Sequence, residues 1–284
     1  MQLKKGQIVE LEITKIAFGG AGIGKYEGLT VFVEGVMVGD RVRASFTRIK
    51  PKFAEAELVE VVKESKDRVK VKCPHFFKCG GCQLQFMPYK MQLEMKKQHV
   101  VDSFERIGKI FDAEIFDVIG CEEEFYYRNK MEFSFGYDAN MNFTLGMHVP
   151  GRRFDIMDID QCYLESEFSV AILNKVREVT LGLGWKSFKY SAGEGFLRAL
   201  YIREGKRTGE VMVNLVCSDD EPEDLKSGLE KLVEELRGLE GGNVTSIYYS
   251  KVISRRGIRR QVVESVIYGK KSLSERLILE NGDE

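Results

Sequence analysis

No apolar run in this sequence approaches the roughly 20 residues needed to cross a bilayer as a helix, and no leader-like segment opens it. That excludes a helical membrane protein and sets the cytoplasm as the expected compartment. Internal repeats and low-complexity tracts are also missing, which leaves ordinary globular domains. Cysteine is scarce, at six in 284 residues, so a disulfide-stapled scaffold is excluded and reduced thiols are expected. Charge of one sign is lacking too. The formal net charge is −1, so no overall field draws the chain to a polyanion. What remains is an ordinary balance, 43% hydrophobic and 31% charged, in a chain long enough for two or three domains with proper cores.

The few cysteines are not spread evenly. Cys73-Pro-His-Phe-Phe-Lys-Cys79-Gly-Gly-Cys82 gathers three thiols within ten residues. Thiolates at this spacing suit a soft metal or an iron–sulfur cluster. Gly80 and Gly81 would permit the positive φ or close backbone approach that wrapping a centre demands. A Cys-x5-Cys-x2-Cys run lacks one ligand of a four-thiolate site. Cys162, in Asp-Ile-Asp-Gln-Cys-Tyr-Leu, is the best candidate for the fourth. Cys121 and Cys217 lie in strand-like apolar contexts and read as small buried hydrophobes. The spacing admits iron–sulfur and zinc equally. A CxxC redox pair is disfavoured because no thioredoxin-like strand–helix unit leads into Cys79.

Alternating segments at Gln7–Ile13, Leu29–Val33, Arg41–Phe46 and Ala54–Val61, separated by glycine turns, predict a small five-stranded OB-like barrel over residues 1–61. The glycines of Phe18-Gly-Gly-Ala-Gly-Ile-Gly24 are expected in a turn; their spacing is wrong for a dinucleotide loop and no helix follows. Residues 62–110 hold the cysteine loop and a helix over Pro88–Lys109, with Tyr89, Leu93, Val100, Phe104 and Ile107 as a core-facing stripe and Gly108 as its cap. Residues 111–284 predict an antiparallel α+β domain with helices over Glu167–Gly182 and Pro222–Leu239. Its first strand, Glu124–Tyr137, alternates so that Tyr127, Met131, Phe133, Phe135 and Tyr137 share one face while Arg128, Lys130, Glu132 and Ser134 share the other.

Charge is local. Residues 61–100 carry nine Lys or Arg against three acids, Lys72, Lys90, Lys96 and Lys97 among them. A second basic knot, Arg255-Arg256-Gly-Ile-Arg259-Arg260, lies near the C-terminus. Either patch could meet phosphates. Phe18, Tyr26, Phe32 and Phe53 of the barrel are candidates for stacking unpaired bases.

Taken in order, these motifs resemble one family. The barrel is followed by Ser65-Lys-Asp-Arg-Val69, the cysteine loop ending Cys82-Gln-Leu-Gln85, and Tyr89-x2-Gln92-x3-Lys96. Then come Tyr127-Arg-Asn-Lys-Met131, Leu145-Gly-Met-His148, Asp160-Gln-Cys-Tyr-Leu164, and Leu197-Arg through Arg203-x4-Thr-Gly-Glu210. The arrangement resembles the N-terminal and central parts of the RNA uracil-C5 methyltransferases, the 23S rRNA (uracil-5-)-methyltransferase group. The resemblance implies that the barrel is a TRAM domain, an RNA-binding module. It implies that Cys73, Cys79, Cys82 and Cys162 ligate a [4Fe–4S] cluster. It implies a central domain that grips RNA, 23S rRNA or otherwise tRNA, with Arg128 and Lys130 the expected phosphate contacts.

The family's Rossmann-like domain binds S-adenosylmethionine and carries a cysteine nucleophile and a base. The sequence ends about where that domain should begin, and neither Cys121 nor Cys217 sits in the catalytic motif. The expectation is therefore a recognition portion, inactive alone, with no catalytic residue and with a separately encoded catalytic domain as a conceivable partner. The alternative is a stand-alone iron–sulfur RNA-binding or redox-sensing module that is not an enzyme. A radical methylthiotransferase is disfavoured, because its first cysteine spacing is three rather than five and its barrel sits at the other end.

Overall fold

The computed structural model describes residues 3–254 and 259–278. They pack as two compact units: one comprises residues up to Phe77 together with Cys82–Glu124, the other Lys78–Gly81 together with the chain from Phe125 onward.

The first unit opens with β1 (Ile8–Ile16), β2 (Gly22–Tyr26), β3 (Leu29–Val33), β4 (Arg41–Ile49) and β5 (Phe53–Lys63), closed into a barrel in the order β1-β2-β3-β5-β4. Alternation sends Val9, Leu11 and Ile13 inward against Val31, Val33, Val42, Ala44 and Phe46. Two of the glycines expected in a turn instead sit in β2. A Cβ on Gly22 would stand 2.3 Å from Val36 Cγ2, and one on Gly24 would stand 2.3 Å from Leu11 Cδ1. These positions need glycine for close packing in a strand, not for a turn.

Below the barrel, Met37, Phe76, Phe86 and Met87 form a small second core. α1 (Tyr89–Asp102) begins behind Pro88, where the helix is expected, and passes into a π-helical segment, Ser103–Gly108. Its apolar stripe is not core: no residue of α1 or of the π-helical segment is buried, and Ile107 is 83% exposed. Lys109, not Gly108, takes the left-handed backbone that ends the helix, at φ 57°.

The second unit is a seven-stranded sheet built from β6 (Lys130–Tyr137), β7 (Phe143–Val149), β8 (Arg152–Asp158), β9 (Leu197–Glu204), β10 (Val211–Ser218), β11 (Val244–Ile253) and β12 (Gln261–Gly269), in the order β12-β11-β10-β9-β6-β7-β8. α2 (Glu167–Gly182) and α3 (Leu225–Arg237) bury Ile172, Leu173, Val176, Leu232 and Leu236 in a core shared with Phe133, Leu200, Val213 and Ile247 of the strands. Ser166 caps α2, its hydroxyl accepting the Ser169 amide. The sheet is not purely antiparallel as expected. β10 and β11 run parallel, joined through α3 as a crossover unit. Among the described residues, no helix is long and apolar enough to cross a membrane.

Candidate nucleic-acid interface and cysteine loop

The four cysteines implicated by spacing divide between the two units. Cys73 and Cys82 pack on the Met37–Phe76–Phe86–Met87 cluster of the first. The Cys73 amide donates to Gln85 Oε1 at 3.2 Å. Cys79 and Cys162 lie against the core of the second. All four are half-buried and none is in a disulfide. The Gly81 amide donates to Cys79 Sγ at 3.3 Å. Neither glycine of the loop adopts positive φ; Phe77 does, at 69°. Gly80 instead makes a close backbone approach. Its amide donates to the His148 carbonyl, and a Cβ there would stand 3.1 Å from that oxygen. Among the described residues, no group of three or more Cys, His, Asp or Glu is gathered closely enough to hold a metal ion. The donor set is right for iron–sulfur or zinc, while a closed ligand shell is not formed.

The remaining thiols differ from expectation in one case. Cys217 is fully buried, and burial pushes its thiol pKa well up, so it is inert at neutral pH. Cys121 is exposed and lies outside any strand, its amide donating to Tyr89 Oη at 2.8 Å.

Phe18 occupies the β1–β2 turn and is 91% exposed, its ring edge-on to His99 at 5.9 Å. A bare aromatic on an OB-type barrel is suited to stacking. Phe32 and Phe53 pair edge-to-face with each other, and Tyr26 packs on Phe46 of the barrel core. Of the basic side chains, Lys72 and Lys96 are exposed. Lys90 stands 4.0 Å from Glu94, and Lys97 is engaged by Asp117 at 2.7 Å.

Arg128 and Lys130 do not share a face. Alternation fails before Lys130 because Tyr126 takes a φ of 58° and the strand begins only at Lys130. Tyr127 is accordingly exposed rather than in the core, while Met131, Phe133 and Phe135 are buried as the pattern predicts. The Arg128 amide donates to the Leu164 carbonyl, and its guanidinium turns to the sulfur of core-facing Met131 at 3.4 Å. Lys130 pairs with Glu132 at 2.5 Å on the opposite face, with its Nζ 5.9 Å from the Tyr201 ring centre.

Sequence reasoning missed the carboxylates behind this strap. Glu204 accepts hydrogen bonds from the hydroxyls of Ser166 and Ser169 and from Lys206 Nζ. Beside it, Glu165 is buried, and its Oε1 has no partner among the described residues. Burial, then the Glu204 charge, raises the Glu165 pKa from 4.5 to about 8, so it is a neutral acid at pH 7. Nothing in the local pattern at Leu164-Glu165-Ser166 signals burial of that side chain.

Residues 2–59 match the TRAM domain family. Over 280 residues the chain is 31% identical to an uncharacterised RNA methyltransferase of Clostridium tetani, covering 98% of this chain and 60% of the relative. It is 33% identical over 293 residues to an uncharacterised RNA methyltransferase of Chlorobaculum tepidum, with the same two coverages, 98% and 60%. The chain thus spans about 60% of the length of these curated relatives. The crystal structure of Pyrococcus abyssi tRNA (uracil-54, C5)-methyltransferase in complex with S-adenosyl-L-homocysteine shares the fold, with a TM-score of 0.66 and 24% identity, over 94% of this chain and 57% of that one.

These matches overturn the expectation of an inactive recognition portion that lacks a Rossmann-like domain, and with it the non-enzymatic alternative. Both relatives carry a methyltransferase name and match across nearly all of this chain, as does the methyltransferase fold. The contrary expectation rests on the catalytic motif not being found before the sequence ends, and where the sequence ends decides nothing about the domains of the protein.

Proposed function

We propose that the protein is an S-adenosylmethionine-dependent RNA methyltransferase that modifies C5 of uridine. The observation that carries this reading is the similarity of 98% of the chain to RNA methyltransferases, beginning with a TRAM barrel at residues 2–59. S-adenosylmethionine supplies the methyl group; no described residue is assigned a catalytic role. The described residues act on the RNA. Phe18 offers a face on which an unpaired base stacks, worth about 1–3 kcal/mol. Lys72, Lys90 and Lys96, exposed at the cysteine loop and on α1, neutralise phosphates, with salt-dependent affinity. Lys97 joins them on release from Asp117, whereas Arg128 holds the Tyr126–Lys130 strap.

A [4Fe–4S] cluster held by Cys73, Cys79, Cys82 and Cys162 belongs to the same proposal. It is supported by the motif order, by four half-buried cysteines, and by the amide directed at Cys79 Sγ. Its role is structural. The motif order favours 23S rRNA as substrate, while the fold neighbour acts on tRNA. Methyl transfer from labelled S-adenosylmethionine to each RNA, with the modified nucleoside identified by mass spectrometry, tests the reading. 5-Methyluridine is the expected product. Transfer to neither RNA, or to a base other than uracil, overturns it.

A further inference from the structure

Helices α2 and α3 cover one face of the seven-stranded sheet; the other face has its own chemistry. Register places Glu132, Tyr201, Asn214 and Tyr248 in one row across β6, β9, β10 and β11. Beside this row, Phe188 and Tyr190 come from the loop before β9, whose Phe188 amide donates to the Leu197 carbonyl. The Arg198 guanidinium lies over the Phe188 ring, its Cζ 3.6 Å from that centroid and 5.6 Å from that of Tyr190. The Tyr190 ring stands at 83° to Phe188, and its hydroxyl is also hydrogen-bonded to Arg198. Its Nε is buried without a hydrogen-bond partner among the described residues. Arg260, the described end of the second basic knot, lies within electrostatic reach of both Arg198 and Tyr201. Arg255 and Arg256 of that knot lie outside the described residues.

We propose that this cluster is a second RNA site on the protein, taking one unpaired ribonucleotide with its base on Tyr190 and its phosphate between Arg198 and Arg260. The inference rests on the RNA reading above and adds a place on the molecule that the TRAM barrel does not supply. Four features support it. Tyr190 is 63% exposed, a poor use of an aromatic unless something covers it. A guanidinium held over one aromatic ring, as Arg198 is over Phe188, is pre-organised to present its remaining donors to a phosphate. An unpartnered buried donor costs stability that an anion would restore. The Arg260 charge acts on both Arg198 and Tyr201, while Glu132 on the same row is paired with Lys130. Neither the helix-side core nor the Arg128 strap uses these residues.

The test is fluorescence anisotropy of the whole chain with a labelled single-stranded oligoribonucleotide of about 12 nucleotides, a length matched to OB-type sites. Binding is measured at several salt concentrations. Tyr190→Ala should weaken binding about five- to tenfold, and Tyr190→Phe by less, since it keeps the stacking ring and loses only the hydroxyl's hydrogen bond to Arg198. Arg260→Ala should weaken binding and flatten the log–log salt slope by about one. Both positions are on the surface, and melting curves confirm that the variants fold. If Tyr190→Ala and Arg260→Ala bind like wild type while Phe18→Ala is weakened, the sheet face is not a site and the RNA reading stands. If the wild-type chain binds no RNA at all, the underlying reading falls, and this inference with it.

Discussion

The carboxylate of Asp40, fully buried at the edge of the barrel, is paired with the Arg68 guanidinium and accepts the amides of Met37 and Ser65 at 2.8 Å each. Arg68 also lies over the Phe86 ring at 4.6 Å. Three segments of the first unit are therefore tied at one charge: the β3–β4 loop, the Ser65–Val69 motif and the small core below the barrel.

Removing one partner leaves the other charged and desolvated. Arg68→Ala should destabilise the protein by about 3–5 kcal/mol. Asp40→Asn, which keeps the shape but loses an acceptor, should also destabilise it. Urea unfolding followed by circular dichroism measures both.

Glu165 predicts a pH dependence. Its pKa is raised from 4.5 to about 8 when folded, so the native state holds a proton that the unfolded state releases. Stability is therefore highest, as far as this group is concerned, below pH 4.5 and declines as pH rises to about 8. Glu165→Gln abolishes that dependence. The variant should gain in melting temperature over wild type at pH 9 and show little advantage at pH 5. An equal difference at both values would contradict the assignment of a neutral buried acid.

The thiols should separate by reactivity. Cys121 is exposed and Cys217 buried with a raised pKa, so iodoacetamide should label Cys121 within minutes in the folded protein and spare Cys217 until it unfolds. Peptide mass mapping reads this directly.

For the cluster proposal, protein purified without oxygen should be brown and carry about four irons per chain. Replacing any of Cys73, Cys79, Cys82 or Cys162 by Ser should remove most of the visible absorption, whereas Cys121→Ser and Cys217→Ser should leave it intact. Gly80→Ala, which crowds the His148 carbonyl, should lower iron content without removing a ligand. Colourless wild-type protein containing zinc would end the iron–sulfur reading.

Much of the fold was legible because burial imposes a period. Met131, Phe133 and Phe135 alternate, and so do Val9, Leu11 and Ile13; each set lies in its core. The pattern misled where backbone geometry interrupts it. The positive φ at Tyr126 breaks the register, so Arg128 is detached from Lys130. The stripe on α1 has helical spacing but none of its residues is buried, and periodicity alone cannot say whether a face is covered. The parallel pairing of β10 with β11 was likewise not readable from alternation, which is the same for either direction.

What the sequence determined alone was local and chemical: the barrel strands, the three-thiol loop with its two glycines, and the positions of the basic residues. These follow from side-chain period, turn chemistry and ligand spacing, none of which needs a distant partner. The tertiary structure alone decided that Gly80 lies close to the His148 carbonyl, that Glu165 is desolvated beside Glu204, and that Arg198 lies by Phe188 and Tyr190. Each of these depends on which remote backbone or charge lies within a few ångströms, and chain order does not encode that distance.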